Sequence, residues 1–260
     1  MSGKRRATSL EEVNPKNKKR QIIIGAIAIV FLYVFLSAFV WIRMDSNAQT
    51  WAAESQITID GAAKEIRNPA AAEPTQFDVA REALSAITAD AETACKPNIL
   101  IRWQGGLFKD DSSKCEIISQ NVQSTSVALD AIASYLMDET QAAAILDSMA
   151  QEDNTLDEKK WDGAVANWNK VEEEISALNV SGAFEPTKEE LLTKVGEIQK
   201  AWAELISSHK KKNLAAFAEA KEDLKSAHDD LGKISEKSSS RLADLDQSFI
   251  VAYEKAFGSN

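Results

Sequence analysis

An uncharged run from Gln21 to Ile42, closed by Arg20 and Arg43, constrains this 260-residue chain more than any other feature. As a helix rising about 1.5 Å per residue it would reach roughly 33 Å, enough to cross the hydrocarbon core of a bilayer. Residues 1–20 carry Lys4, Arg5, Arg6, Lys16, Lys18, Lys19 and Arg20 against only Glu11 and Glu12. Between residues 43 and 62 the only basic side chain is Arg43. That asymmetry predicts a single-pass cell-membrane protein with a basic cytoplasmic tail (1–20), a transmembrane helix (21–42) and an extracytoplasmic C-terminal domain. Trp41 would sit at the outer boundary, its ring in lipid and its N–H in water. A cleaved signal peptide, with Ser46 and Ala48 at the cleavage site, is the competing reading. The run is longer than a signal core of about 7–15 residues. Gly25 is followed four residues on by Ile29, so no Gly-xxx-Gly pair signals tight helix dimerisation.

The whole chain has a formal net charge of −10, and removing its basic arm leaves a still more acidic outer part. Such a surface argues against nucleic acid as a partner. Most of the acidity reads as solvated helix faces, with a cationic partner as the other reading. The two cysteines, Cys95 and Cys115, both follow the span. Outside the cytoplasm they are expected to form a disulfide, which two antiparallel helices joined by a loop would bring together. No neighbouring His or Cys completes a zinc site.

Beyond the span the pattern is helix upon helix. A juxtamembrane helix and linker are expected over 43–75, then an elongated antiparallel bundle over 76–257, with possible halves at 76–152 and 155–257. Apolar residues at steps of three and four mark each helix. Phe77, Ala80, Leu84, Ile87 and Ala91 form the first stripe. Ile118, Val122, Leu129, Ile132, Leu136, Ala143 and Leu146 form the second. Trp161, Val165, Trp168, Val171 and Ile175 mark a third helix, and Leu191, Val195, Ile198, Trp202 and Leu205 a fourth. The last starts near Asn213 with Leu214, Phe217, Leu224, Leu231 and Ile234, and is expected to bend or break across Ser238-Ser239-Ser240. Ser113/Glu116, Thr155/Glu158 and Thr187/Glu190 have capping-box spacing at three of these starts. Gly182 is placed to end the third helix.

The chain carries no catalytic signature. It has no His-Glu-x-x-His, no Gly-x-Ser-x-Gly, no glycine-rich phosphate loop and no Glu-x-x-His pair for a di-iron bundle. His209 and His228 read as helix-flank residues. Trp161, Trp168 and Trp202 read as core. The loop from Lys96 to Lys114 is unusually apolar for a connector, and Trp103, Leu107 and Phe108 are its candidate partner-binding side chains, presented at the distal tip. The alternative is that they plug the bundle end.

In outline this plan resembles single-span envelope proteins with helical ectodomains, such as the LemA family, and the four-helix sensor domains of bacterial chemoreceptors. No motif places the chain in either. The expected fold is all-α: one N-terminal transmembrane helix, then a helical-bundle ectodomain with one disulfide. The expected function is non-catalytic, an interaction or spacer module for another envelope protein, without cofactor or metal. The alternative is an accessory sensor that binds a small molecule between helices near the tryptophans.

Overall fold

The computed structural model describes residues 15–67, 74–95, 114–150 and 158–258. Among them stand six α-helices and one short 3-10 turn, and no strand. The helices are α1 (Pro15–Ile66), α2 (Pro74–Ala94), α3 (Lys114–Ala150), α4 (Trp161–Ala177), α5 (Glu185–Lys210) and α6 (Leu214–Phe257). The fold is therefore all-α. Pro15 and Pro74 open α1 and α2, and Pro186 lies in the first turn of α5, where a missing N–H costs nothing.

Polar contacts set how the helices run past one another. Ser119 Oγ donates to the Ala91 carbonyl at 2.8 Å, Ser126 Oγ to the Leu84 carbonyl at 2.8 Å, and Arg81 meets Asp130 at 3.0 Å. These make α2 and α3 antiparallel. On α6, the Tyr135 hydroxyl lies 2.8 Å from Ser238 Oγ, and Asn121 Nδ2 lies 3.4 Å from the Lys255 carbonyl. So α6 runs antiparallel to α3. It runs antiparallel to the end of α1 too, through Arg67–Asp246 and Tyr253–Asp60, both at 2.8 Å.

Two apolar cores result. The first joins Ile59 of α1, Leu84 of α2, Val122 and Leu129 of α3, and Phe249 of α6. The second joins Ala142 of α3, Trp168 and Ile175 of α4, Val195 and Ile198 of α5, and Ile234 of α6. At 37 and 44 residues, α3 and α6 reach about 55 and 66 Å, long enough to serve both cores. Leu242 and Leu245 pack against both. The cores thus divide across α3 and α6, and residues 151–157 lie outside the described residues.

Most apolar stripes lie inward as their spacing predicts. Leu191, Val195, Ile198, Trp202 and Leu205 are all buried. Asn213 caps α6, its side chain accepting from the Ala216 N–H at 3.2 Å. Four expectations fail. The α6 helix is unbroken through Ser238–Ser240: Ser238 turns its hydroxyl into the interior, and Ser239 Oγ bonds back to the Ser235 carbonyl. Leu214 is exposed because it occupies the first turn of α6. Thr187 does not cap α5, which begins two residues earlier; its hydroxyl faces the core. The α4 helix ends at Ala177, before Gly182, with the Leu178 N–H turned onto the Ile175 carbonyl. Ser113 and Thr155 lie outside the described residues.

Cys95 and Cys115 are disulfide-bonded, with Cα atoms 5.9 Å apart. Cys115 lies beyond Asn121, which pairs with the last turns of α6, so the bond sits at the end of the bundle where α6 finishes. Gln56 meets Tyr253 on α6 at 3.0 Å, which puts the entry of α1, near Ala48, at the same end. The two cysteines therefore stand at the α1-entry end, not at the far tip, and the loop between them lies outside the described residues.

Replacing both cysteines, Cys95→Ser with Cys115→Ser, should lower stability by about 3 kcal/mol, the loop-closure entropy expected for this span. The urea midpoint of wild type, with and without reductant, checks it.

Candidate functional site

Between the two cores lies a layer of polar side chains. Tyr135 is fully buried on α3, and its hydroxyl touches Thr187 Oγ1 of α5 at 3.2 Å and Ser238 Oγ of α6 at 2.8 Å. Ser238 Oγ donates to Glu139 Oε1, and Arg241 donates to Thr187 Oγ1. The two ends fix every proton between them, because a guanidinium only donates and a carboxylate oxygen only accepts. Ser238 gives its hydrogen to Glu139, so Tyr135 must donate to Ser238 and Thr187 to Tyr135. The result is one directional chain from Arg241 through three hydroxyls to Glu139. Arg241 also pairs with Glu190 at 3.3 Å, and Lys237 meets the same carboxylate at 3.4 Å.

Neighbouring contacts hold this layer. Buried Asp138 accepts from the backbone N–H and the hydroxyl of Ser181 at 2.8 and 2.7 Å, which ties the α4–α5 connection to α3. Phe184, at the start of α5, packs edge-on against Tyr135 at 5.3 Å between ring centroids. Lys188 Nζ donates to the Leu178 carbonyl at 2.7 Å, satisfying one of the last acceptors of α4.

Glu139 forms one end of an open groove of about 370 Å³ between α3, α5 and α6. Ala142, Leu146, Phe184, Leu191, Leu231 and Ile234 give it apolar walls, and Gly232 leaves part of the α6 side without a side chain. His228 also lines it, with its ring edge-on to Trp168 at 5.3 Å. The tryptophans themselves do not form a pocket wall here. Trp161, Trp168 and Trp202 are buried in the second core.

A second candidate surface lies on α1. Ile29, Phe31, Leu32, Phe35, Phe39 and Ile42 are all exposed, Phe31 and Phe35 at 72 %. The same helix then buries Ala52, Ile59, Ala62 and Ile66 in the first core with no interruption. Among the described residues no helix is long and apolar enough to cross a membrane. Within 21–42 the side chains of Gln21–Ala26, Ala28, Ser37, Val40 and Trp41 lie outside the description.

Of the residues expected to carry function, Cys95 and Cys115 are joined as expected. Trp103, Leu107 and Phe108 lie outside the described residues. Among the described residues no group of His, Cys, Asp and Glu is arranged to hold a metal ion. The sequence reading missed Tyr135, Ser238, Glu139 and Arg241. Their only signal was a Tyr and a Ser placed where a stripe of aliphatic residues continues on either side. Comparison with protein-family models, curated proteins and solved structures finds no match for this chain.

Tyr135→Phe removes one buried donor and leaves Thr187 and Ser238 each short of a partner. It should lower stability by about 1–3 kcal/mol without changing helicity, measured by urea unfolding with circular dichroism.

Asp230, on α6, supports a pH prediction. Hydrogen bonds from Lys233 at 2.8 Å and Lys194 at 3.4 Å hold its carboxyl below the usual carboxylate range. A carboxyl lowered on folding contributes stability above its unfolded pKa of about 4 and loses it as pH falls through the folded value. The stability difference between wild type and Asp230→Asn should therefore be largest near neutrality and shrink below about pH 4, as read from denaturation midpoints across that range.

Proposed function

We propose that the chain is a single-pass membrane protein, anchored through residues 21–42, with a cytoplasmic N-terminus and the helical bundle outside. We also propose that the bundle acts without catalysis, as a spacer or docking module for another envelope protein. The observation that carries this reading is the two-part character of α1. Its described side chains over 27–42 leave large apolar groups in contact with solvent, while 52–66 supply a face of the first core. Soluble monomers rarely tolerate so much contiguous exposed apolar surface. The basic residues before Gln21 and the uncharged run itself supply the orientation and the length.

Because α1 runs unbroken from Pro15 to Ile66, the anchor and the bundle share one helix. No flexible linker intervenes, so the bundle projects from the bilayer at a fixed angle. That suits a spacer, which must hold a set distance, better than a tethered catcher. Trp103, Leu107 and Phe108 remain the proposed partner contacts. The disulfide that closes their loop sits at the α1-entry end, so the partner is expected beside the bilayer, not far above it.

Wild-type protein should stay with membranes through an alkaline carbonate wash. The double variant Leu32→Arg with Phe35→Arg should be released, since each central arginine costs about 2.5–3.5 kcal/mol of insertion. A proximity-labelling tag after Asn260 should mark extracytoplasmic proteins, enriched in one or two membrane neighbours. Wild type washing off with carbonate would refute the anchor, and cytoplasmic labelling would refute the orientation.

A further inference from the structure

We propose that the groove between α3, α5 and α6 binds a compact organic amine, an ammonium group on a small aryl or alkyl body, with Glu139 as its counter-ion. The apolar walls take the body of the ligand out of water. The carboxylate at the end sets the sign of the ligand's charge. Glu139 Oε1 is held by Ser238, and its Oε2 receives no protein hydrogen bond among the described residues. Among the described residues no lysine or arginine lines the groove. An anionic ligand would meet the Glu139 charge head-on. A neutral one would cover a carboxylate without pairing it, which is costly once water is excluded. An ammonium pairs it, through a charge-assisted hydrogen bond.

The hydroxyl chain prepares Glu139 for this role. Arg241, Thr187, Tyr135 and Ser238 hold one oxygen of the carboxylate in a fixed place before any ligand arrives, so little ordering remains to be done on binding. The volume of about 370 Å³ lies near the small end of ligand pockets, about 300–1,000 Å³, which fits a single small amine and not a peptide. Gly232 supplies the means to close the groove. A Cβ built there meets nothing within 4 Å, so larger side chains can be introduced without a clash at that atom. None of this depends on membrane anchoring.

The test is calorimetric titration of the full-length protein in detergent micelles with phenethylamine and n-hexylamine, using 2-phenylethanol as the neutral isostere. Both amines should bind saturably at one site per chain, and 2-phenylethanol about tenfold or more weakly, a difference of about 1.4 kcal/mol. Glu139→Gln keeps an acceptor for Ser238 while removing the charge, and should weaken amine binding about tenfold or more. Gly232→Leu should abolish binding of all three compounds with helicity unchanged. If Gly232→Leu lowers helicity, Glu139→Gln alone decides. No saturable binding of either amine, or amine binding undiminished in Glu139→Gln, overturns the proposal.

Discussion

The antiparallel pairing of α3 with α6 is the contact on which everything else rests. Neither α1 with α2 nor α4 with α5 can close a core alone, because each pair needs a third and a fourth apolar face. The two long helices supply both. Their apolar side chains Val122, Leu129, Ile132, Ile234 and Phe249 are each buried. At about 1.5–3 kcal/mol per fully buried aliphatic or aromatic side chain, the shared pair carries a large part of the folding drive. It also makes the two cores one mechanical body, since separating them would require breaking two helices.

The polar chain from Arg241 to Glu139 sits where the two cores meet. A continuous aliphatic stripe would allow α3 and α6 to slide by one turn and repack leucine on leucine. Tyr135, Thr187 and Ser238 forbid that, because a slip would bury three hydroxyls without partners, at about 1–3 kcal/mol each. The layer therefore fixes register among three helices. The same groups aim a carboxylate into an apolar groove, so one set of hydrogen bonds serves both packing and the proposed binding site.

The end of the bundle where α1 enters concentrates the features that point outward. The exposed apolar side chains of α1, the disulfide and the last turn of α6 all lie there. The disulfide ties the end of α2 to the start of α3 at that end. A staple is most useful at such an end, where helices otherwise fray.

What the sequence determined alone was the local character of each helix. Steps of three and four in Leu191–Leu205 or Trp161–Ile175 reveal a buried face because the helical period imposes it, and Asn213 reveals a helix start because few residues cap so well. The cysteines were legible as a pair because the chain contains no others. Which face meets which was not legible, because a stripe states that a side is apolar and not what covers it. For the same reason the two cores, divided across α3 and α6, could not be read from the order of segments. The hydroxyl residues were misread for a different cause. Thr187 and the Ser238 run use the same oxygen to cap a helix, to break one or to bridge three, and only the neighbours in space choose among these. Tyr135 beneath them, on a helix distant in sequence, made that choice.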